Sequence, residues 1–288
     1  MLSILCVTLA LFLIIWGFGA GEKTSPPAAV PRALLLVEND TGTYLMQLRK
    51  GLQEAVQERN GQLSVERLPG PGSEAALTID PGLTVIYLLS DQPAGYLDVL
   101  HKTGCPVVVL GQEIRGETCV IPDEEGGGRL AGEYLSQFLQ NSALSIVTDN
   151  NDSLSSLRLK GLISSLGSGK YRTYAYEEFD KDKLNKSSPV AALSQQALLK
   201  VLSLRQMDGP AIYGFDGEDN RLKLMEEGSL SGIVTDNPYA LGYIAGNLLN
   251  DIHLGEFKPS LHYGPMHLVT LKTLYNADNV KLMFPLLH

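Results

Sequence analysis

An alternation of short aliphatic runs with stretches of helical period is the feature that most constrains the fold of this chain. It begins at Ala33 with the run ALLLV, and in the segment that follows Leu45, Leu48 and Leu52 lie on one helical face. Strands are predicted next at LSVERL, TVIYLL, PVVVL and TCVI, and then at ALSIV, RTYAY, PVAAL, PAIYGF and SGIVTD. This rhythm predicts an α/β fold in which helices cover parallel sheets.

The rhythm occurs twice along the chain. A length of 288 residues suits one large domain or two lobes. The first series runs from Ala33 to about 138 and the second starts near 142, so the pattern predicts two similar lobes. An amphipathic helix from about Pro238 to Ile252 and the runs HLVTL and VKLMF follow the second series.

Residues 1–20 predict a membrane anchor. The segment LSILCVTLALFLIIWGFGA carries no charge, and its roughly 19 residues at about 1.5 Å each span a hydrocarbon core of roughly 30 Å. We expect an uncleaved anchor more than a removed signal, and both remain open. Residues 21–32 are rich in proline and predict an extended tether. The expected location is the cell membrane with the folded part extracytoplasmic, although Lys23 and Arg32 give this orientation no support.

Composition excludes several classes of function. The net charge of -9 and the absence of a Lys/Arg run argue against a nucleic-acid partner. The cysteines and histidines show no metal-ligand spacing, and no nucleophile elbow or phosphate loop is present, so we expect no metal site, no cofactor and no enzyme. Cys105 and Cys119 are interpreted as buried thiols in preference to a disulfide, which stays open.

Several segments, in this order and spacing, resemble the type I periplasmic binding protein superfamily, which includes the ribose-binding proteins and LacI-like sensor domains. These segments are ALLLVENDTGTYLMQLRKGL, GCPVVVLGQEIRGETCVIPDEEGGGRLAGEYL, NDSLSSLRLKGL, AIYGFDG and SGIVTDNPYALGYIAGNLL. The resemblance covers nearly all of 33–281. A membrane segment stands where the LacI-type repressors have a DNA-binding part, so a repressor is not expected.

The resemblance implies two Rossmann-like lobes with parallel sheets, joined by a hinge of three crossovers. The N-terminal lobe would comprise about 33–138 and 238–265, and the C-terminal lobe about 142–236 and 266–288. A ligand would lie in the cleft at the carboxyl ends of the strands, where helix N-termini and backbone amides face it. Asp123 is expected to be a cap and hinge residue.

The resemblance also implies ligand-binding side chains, each with an alternative role. Arg158 would donate two parallel hydrogen bonds to sugar hydroxyls or to a carboxylate. Alternatively, it would form a salt bridge with an acid such as Asp152. Asp216 would accept two hydroxyl hydrogen bonds or cap a helix, and Asp236 would contact the ligand or cap. The full predicted set is Tyr44, Gln112, Arg158, Gln195, Asp216 and Asp236. Tyr44 would stack on a pyranose face or be a core tyrosine.

Departures from the family pattern bring a typical hexose into doubt. Gly111 and Gln112 stand where the family places an Asp, often followed by Arg, and Gly42 replaces an Asn. We therefore keep two hypotheses. The first is a membrane-tethered solute-binding protein that captures a small polar ligand, a sugar, for an ABC-type importer or membrane sensor kinase. The second is a ligand-free signalling or scaffold module that binds a membrane partner. An α/β enzyme has the least support.

Overall fold

A computed structural model of the chain describes most of the residues from 32 onward. The described residues are 32–37, 42–69, 77, 79, 84–88, 93–139, 142–167, 169–206, 208–215, 221–253 and 258–283. The anchor predicted at 1–20 lies outside them, as does the tether apart from Arg32. Within the described ranges, no helix is both long enough and apolar enough to cross a membrane.

The described segments follow one another as strands and helices much as the sequence rhythm predicts. The strands are β1 Arg32–Val37, β2 Gln62–Arg67, β3 Thr84–Leu88, β4 Val107–Leu110, β5 Thr118–Pro122, β6 Leu144–Thr148, β7 Tyr171–Ala175, β8 Val190–Ala192, β9 Ile212–Phe215, β10 Gly232–Asp236, β11 Leu261–Gly264 and β12 Met266–Thr270. The helices are α1 Thr43–Gln57, α2 Pro93–Thr103, α3 Glu124–Ser136, α4 Ser153–Ser164, α5 Gln195–Leu204, α6 Arg221–Glu226, α7 Pro238–His253 and α8 Ala277–Met283. Of the late runs, HLVTL lies mostly in β12 and VKLM in α8.

The strands form two sheets. The first has the order β11-β5-β4-β3-β1-β2 and the second the order β12-β10-β9-β8-β6-β7. All described pairings are parallel except β12 with β10. Alternate residues of β1 enter different cores: Leu34 and Leu36 join one apolar cluster, and Leu35 joins another. Burial on both faces explains why these strands are continuous aliphatic runs.

The chain passes between the sheets at three positions, as the resemblance implied. β5 leads through Asp123 into α3, β10 leads through Asn237 into α7, and β11 leads through Pro265 into β12. Helix α7 packs on α1 and on strands of the first sheet, whereas α3 packs on α4 and β12 of the second. We call these three connecting residues the hinge. The first lobe is the first sheet with α1, α2 and α7, and the second lobe is the second sheet with the other helices.

The position of α3 corrects the expected lobe boundary. The sequence rhythm assigned about 33–138 to the N-terminal lobe, which would include α3. The structure places the crossover at Asp123, because α3 packs against α4 through Gly128 and Gly132. The absence of a side chain at these two positions lets the helix backbones approach closely. The N-terminal lobe therefore ends some 15 residues earlier, near β5.

The helix pair α1–α7 of the first lobe is packed through glycine. A methyl group added to Gly51 would lie 1.9 Å from the carbonyl oxygen of Tyr239. One added to Gly242 would lie 2.0 Å from the carbonyl oxygen of Leu48. Both distances are far inside van der Waals contact, so only glycine fits at these positions without movement of the backbone.

The helix pair α3–α4 of the second lobe repeats this packing. A methyl group on Gly161 would lie 1.9 Å from the carbonyl oxygen of Glu125, and one on Gly128 would lie 2.1 Å from that of Arg158. Gly161 thus corresponds to Gly51, and Gly128 to Gly242. By the same correspondence Arg158 occupies the place of Leu48. The two lobes are similar down to individual backbone contacts.

Candidate ligand-binding cleft

The strand ends that precede the hinge define the cleft between the lobes. Pro122 ends β5, Asp236 ends β10 and Gly264 ends β11, and the chain passes from each of these ends into the other lobe. Asp236 also pairs with Met266, where β12 begins. The carboxyl ends of both sheets therefore meet at one interlobe cleft, which is where open parallel sheets bind their ligands.

A buried ion pair lies on the second-lobe side of this cleft. Arg158 of α4 donates from Nε to Glu124 Oε2 at 2.6 Å and from Nη2 to Glu124 Oε1 at 3.0 Å. Its Nη1 donates to the carbonyl oxygen of Leu193 at 2.8 Å. Arg158 is 1% exposed and Glu124 is 6% exposed. A bidentate pair with this degree of burial is strongly directional and costly to break.

The ion pair is part of a wider polar network beneath the cleft. The Ser155 hydroxyl donates to Asp152 Oδ2 at 2.8 Å and also lies 3.3 Å from the Leu193 carbonyl oxygen. The guanidinium carbon of Arg158 lies 5.2 Å from the ring centroid of Phe215, within the range of a cation–π contact. Leu193 follows β8 and Phe215 ends β9. The network therefore ties two strand ends to the start of α3.

Within the described structure, Arg158 forms a salt bridge, which is the second of its two predicted roles. The sequence predicts either a ligand contact or a salt bridge with an acid on that face. The acid is Glu124 and not Asp152, whose carboxylate caps α4 by accepting from the amides of Leu154 and Ser155. Glu124 was missed because it is 34 residues away in the chain, at the start of a helix assigned to the wrong lobe.

Two predicted site residues from opposite lobes are in direct contact. Tyr44, the second residue of α1, donates from its hydroxyl to Oδ2 of Asp236 at 2.9 Å. Tyr44 is 40% exposed, so it is not a core tyrosine. Since Asp236 ends β10 in the second lobe, this hydrogen bond crosses the cleft at the hinge. One turn further along α1, Gln47 donates to the carbonyl oxygen of Lys281 on α8 at 3.1 Å.

The other predicted residues are placed separately. Gln195 is the first residue of α5, and the Ser194 hydroxyl before it accepts from the Ala197 amide at 3.1 Å as the N-cap. Gln112 is exposed, after β4 on the first-lobe side. Asp216 lies outside the described residues.

The cap role expected for Asp123 is confirmed. Its Oδ1 accepts from the amide of Gly126 at 2.8 Å, so this hinge residue also caps α3.

The first-lobe wall of the cleft has little polar character at the two described glycine positions. Gly42 precedes α1 with φ 116°, and Gly111 follows β4 with φ 93°. Both are left-handed conformations that favour glycine. The first-lobe wall therefore has neither the charged pair nor the amide that the family pattern places at these points.

No grouping of three His, Cys, Asp or Glu side chains in the described ranges is arranged to hold a metal ion. Cys105 and Cys119 are buried thiols in the same apolar cluster of the first lobe, which is the arrangement that the sequence favoured. Burial raises the pKa of Cys119, so this thiol is poorly suited to nucleophilic chemistry at neutral pH.

No protein-family model matches the sequence, and no curated protein matches it either. Solved structures do match. A glucose-galactose binding protein from Geobacillus stearothermophilus, GanP, aligns over 85% of this chain and 99% of its own at 18% identity, with a TM-score of 0.62. The arabinose binding protein AraP from the same organism aligns over 85% and 98% at 13% identity, with a TM-score of 0.69.

A third similar structure is a complex of XylFII with LytSN, in a mutant form. It aligns over 84% of this chain and 98% of its own at 17% identity, with a TM-score of 0.66. At these identities the similarity is one of fold. The chain has the fold of the type I periplasmic binding proteins, and GanP and AraP are named as binding proteins.

Proposed function

We propose that this protein is a membrane-tethered, extracytoplasmic solute-binding protein that captures a small polar ligand, a sugar, in the interlobe cleft. It would present the ligand to an ABC-type importer or to a membrane sensor. The observation that carries the proposal is the place where Tyr44 and Asp236 meet, between the lobes at the end of β10. Two polar side chains from opposite lobes meet at the strand ends, at the place where closure would enclose a ligand.

The chemistry of the cleft suits hydroxyl groups. The Asp236 carboxylate accepts two or more hydroxyl hydrogen bonds, and the Gln195 amide both donates and accepts. The Tyr44 ring offers a flat apolar face to a pyranose, with a hydroxyl at its edge. The network of Arg158 and Glu124 would fix the chain just after β8, two residues before Gln195. The neighbours GanP and AraP are named for binding sugars, which supports this ligand class.

The partner is proposed on the same basis. Both lobes contribute to the rim of the cleft, so closure changes the surface that a membrane protein meets. The structure of XylFII with LytSN is a complex of a neighbour of this fold with another protein, which supports a protein partner. Residues 1–20 would anchor the protein at the membrane, with 21–32 as the tether.

A ligand-free scaffold module is the second candidate, and specific contacts favour it. Tyr44 and Asp236 hydrogen-bond to one another, and each guanidinium nitrogen of Arg158 donates within the protein. Gly111 also removes a charged group from the first-lobe wall. A cleft whose polar groups bond to one another would hold the lobes together without a ligand.

Thermal unfolding of the full chain against a panel of sugars, sugar phosphates and nucleosides separates the two candidates. A ligand present at about 100 times its dissociation constant adds about 2.7 kcal/mol of stability, which raises the melting temperature by several degrees. Calorimetry on Asp236→Asn and Tyr44→Phe then locates the site, with Tyr275→Phe as the control. Tyr275 is an exposed tyrosine that donates to Glu226, and it is not one of the predicted site residues.

A solute-binding protein gives one clear ligand whose affinity falls at least tenfold in Asp236→Asn and is unchanged in Tyr275→Phe. A folded protein that no member of the panel stabilises would favour the scaffold module.

A further inference from the structure

A cavity lies beside the hinge and is lined in part by the hinge residue Asn237. Its volume is about 590 Å³, which is in the range of small-molecule sites. Its walls come from α1 and the start of α7 in the first lobe and from β12 and α8 in the second. None of Tyr44, Gln112, Gln195 and Asp236 lines it. A ligand in this cavity would touch both lobes at once.

Each lobe contributes one cation and one anion to this cavity. Lys50 and Glu54 are four residues apart on α1, and Asp278 and Lys281 are three apart on α8. Such spacings put both side chains on one face of a helix. Glu54 accepts from the Tyr239 hydroxyl at 2.7 Å. In the described part of the chain, neither lysine ammonium has an ion-pair partner.

A buried polar atom at the cavity has no partner in the described structure. Nε2 of His267, on β12, is inaccessible to solvent and makes no hydrogen bond. Burial lowers the pKa of His267, with an opposing effect from the Asp278 carboxylate, so the ring is neutral at pH 7. Nε2 lies out of reach of a ligand, but the His267 ring lines the cavity, so its resonances report on what binds there.

We propose that this hinge-side cavity is a second binding site, which takes a small zwitterion of the amino-acid class. The charges of its walls sum to zero, so a net anion or cation would gain about as much repulsion as attraction. A zwitterion avoids this, because its carboxylate meets Lys50 and Lys281 while its ammonium meets Asp278 and Glu54. Both ends of such a ligand are held by both lobes.

The site would be coupled to the cleft. The amide of Gln47, at the edge of the cavity, already donates to the carbonyl oxygens of Lys281 and Leu282 across the lobes. A zwitterion that joins α1 to α8 stabilises this arrangement of the lobes, in which Tyr44 also reaches Asp236. Any ligand that prefers the same arrangement in the cleft then binds more tightly, and the effect is reciprocal.

The test is a titration of the full chain with glycine and with L-alanine, followed by calorimetry and by the ring resonances of His267. Acetate and methylammonium are the singly charged controls, and galactose is the neutral one. We expect a saturable shift of the His267 signal with the amino acids and none with the three controls. Lys281→Ala and Asp278→Asn are each expected to weaken binding about tenfold or more, the usual effect of a lost charge-assisted hydrogen bond.

Lys272→Ala is the matched control, since Lys272 is exposed just after the last residue of β12 and does not line the cavity. The proposal is overturned if no amino acid shifts the His267 signal, if acetate alone binds as well, or if Lys281→Ala binds like Lys272→Ala. Loss of amino-acid binding in Asp236→Asn but not in Lys281→Ala would place the ligand in the cleft and also overturn it. The sugar measurement does not depend on any of these outcomes.

Discussion

The two glycine-packed helix pairs differ in one respect at an otherwise equivalent place. In the first lobe, the backbone of Leu48 faces Gly242, and the leucine side chain is fully buried in the apolar core. In the second lobe, the backbone of Arg158 faces Gly128, and the side chain is equally buried but is an ion. The second lobe therefore places a charge where the first lobe has a leucine.

The difference between Leu48 and Arg158 indicates a role for the buried ion pair. Packing alone is satisfied by a leucine, as the first lobe demonstrates, and a buried ion pair is often no more stabilising than apolar side chains of similar size. The pair of Arg158 and Glu124 instead bonds to the carbonyl oxygen of Leu193 at the end of β8. We interpret the pair as a device that positions the strand ends at the cleft, whereas the equivalent residue of the first lobe, Leu48, only packs.

The largest expected effect comes from breaking this pair. Arg158→Met leaves the Glu124 carboxylate buried without its partner and is expected to lower the free energy of unfolding by about 3–5 kcal/mol. Leu48→Met, at the equivalent place, is expected to cost less than about 1.5 kcal/mol. Urea unfolding of the two variants checks the contrast. Equal losses would contradict it.

Removing both charges tests the interpretation differently. The double variant Arg158→Met with Glu124→Leu is expected to be close to the wild type in stability, because no unpaired charge is left in the core. The same urea experiment measures it. A double variant as unstable as Arg158→Met alone would show that the pair is needed for the fold itself.

The glycine contacts are expected to matter equally in both lobes. Gly242→Ala and Gly128→Ala each force a methyl group against a backbone carbonyl, and each is expected to lower the free energy of unfolding by about 1–3 kcal/mol. Gly167→Ala is the control, since its added methyl would lie 3.6 Å from the nearest atom. A loss confined to one pair would mean that the helix packing is not equivalent.

A smaller difference between the lobes concerns the polar contacts beside the two glycine-packed helix pairs. Tyr239 donates to Glu54 at 2.7 Å, and at the equivalent position Glu125 pairs with Lys160, also at 2.7 Å. Tyr239→Phe is expected to cost about 1 kcal/mol whatever the salt concentration. Lys160→Met is expected to cost less than about 0.5 kcal/mol, and less still at high salt, because the pair is on the surface.

The contribution of Tyr239 to the stability of the protein is expected to depend on pH. Burial and the hydrogen bond to Glu54 raise the pKa of Tyr239 to about 12. Because this pKa is raised above the usual value of about 10, the contribution to stability is complete below about pH 10 and is lost as the pH rises through about 12. Stability measured across this range should fall less in Tyr239→Phe than in the wild type. An equal loss of stability in both proteins would show that the hydrogen bond from Tyr239 to Glu54 does not contribute to the pH dependence.

Much of the fold could be predicted from the sequence, since each buried parallel strand is a continuous aliphatic run that needs no partner to be recognised. The boundary at 138 was wrong because the composition of α3 does not reveal which sheet it covers. Its glycines, spaced four apart as in α7, were the available signal. The partner of Arg158 depended on that boundary, so the ion pair with Glu124 could not be predicted.

The contact between Tyr44 and Asp236 could not be predicted from the sequence either. The family resemblance suggested both residues separately, but a distance between side chains of opposite lobes depends on the angle at the hinge. Nothing in the local pattern of α1 or β10 determines that angle. The structure supplied it.

Calorimetric titration of the sugar panel into the wild type and into the Arg158→Met, Glu124→Leu double variant measures whether the ion pair positions the cleft for a sugar. We expect the wild type to bind one sugar and the double variant, although folded, to bind it at least tenfold more weakly, because the ends of β8 and β9 are no longer held. Equal affinity in both proteins would contradict the positioning role of the ion pair, and a wild type that binds no sugar would contradict the proposed function.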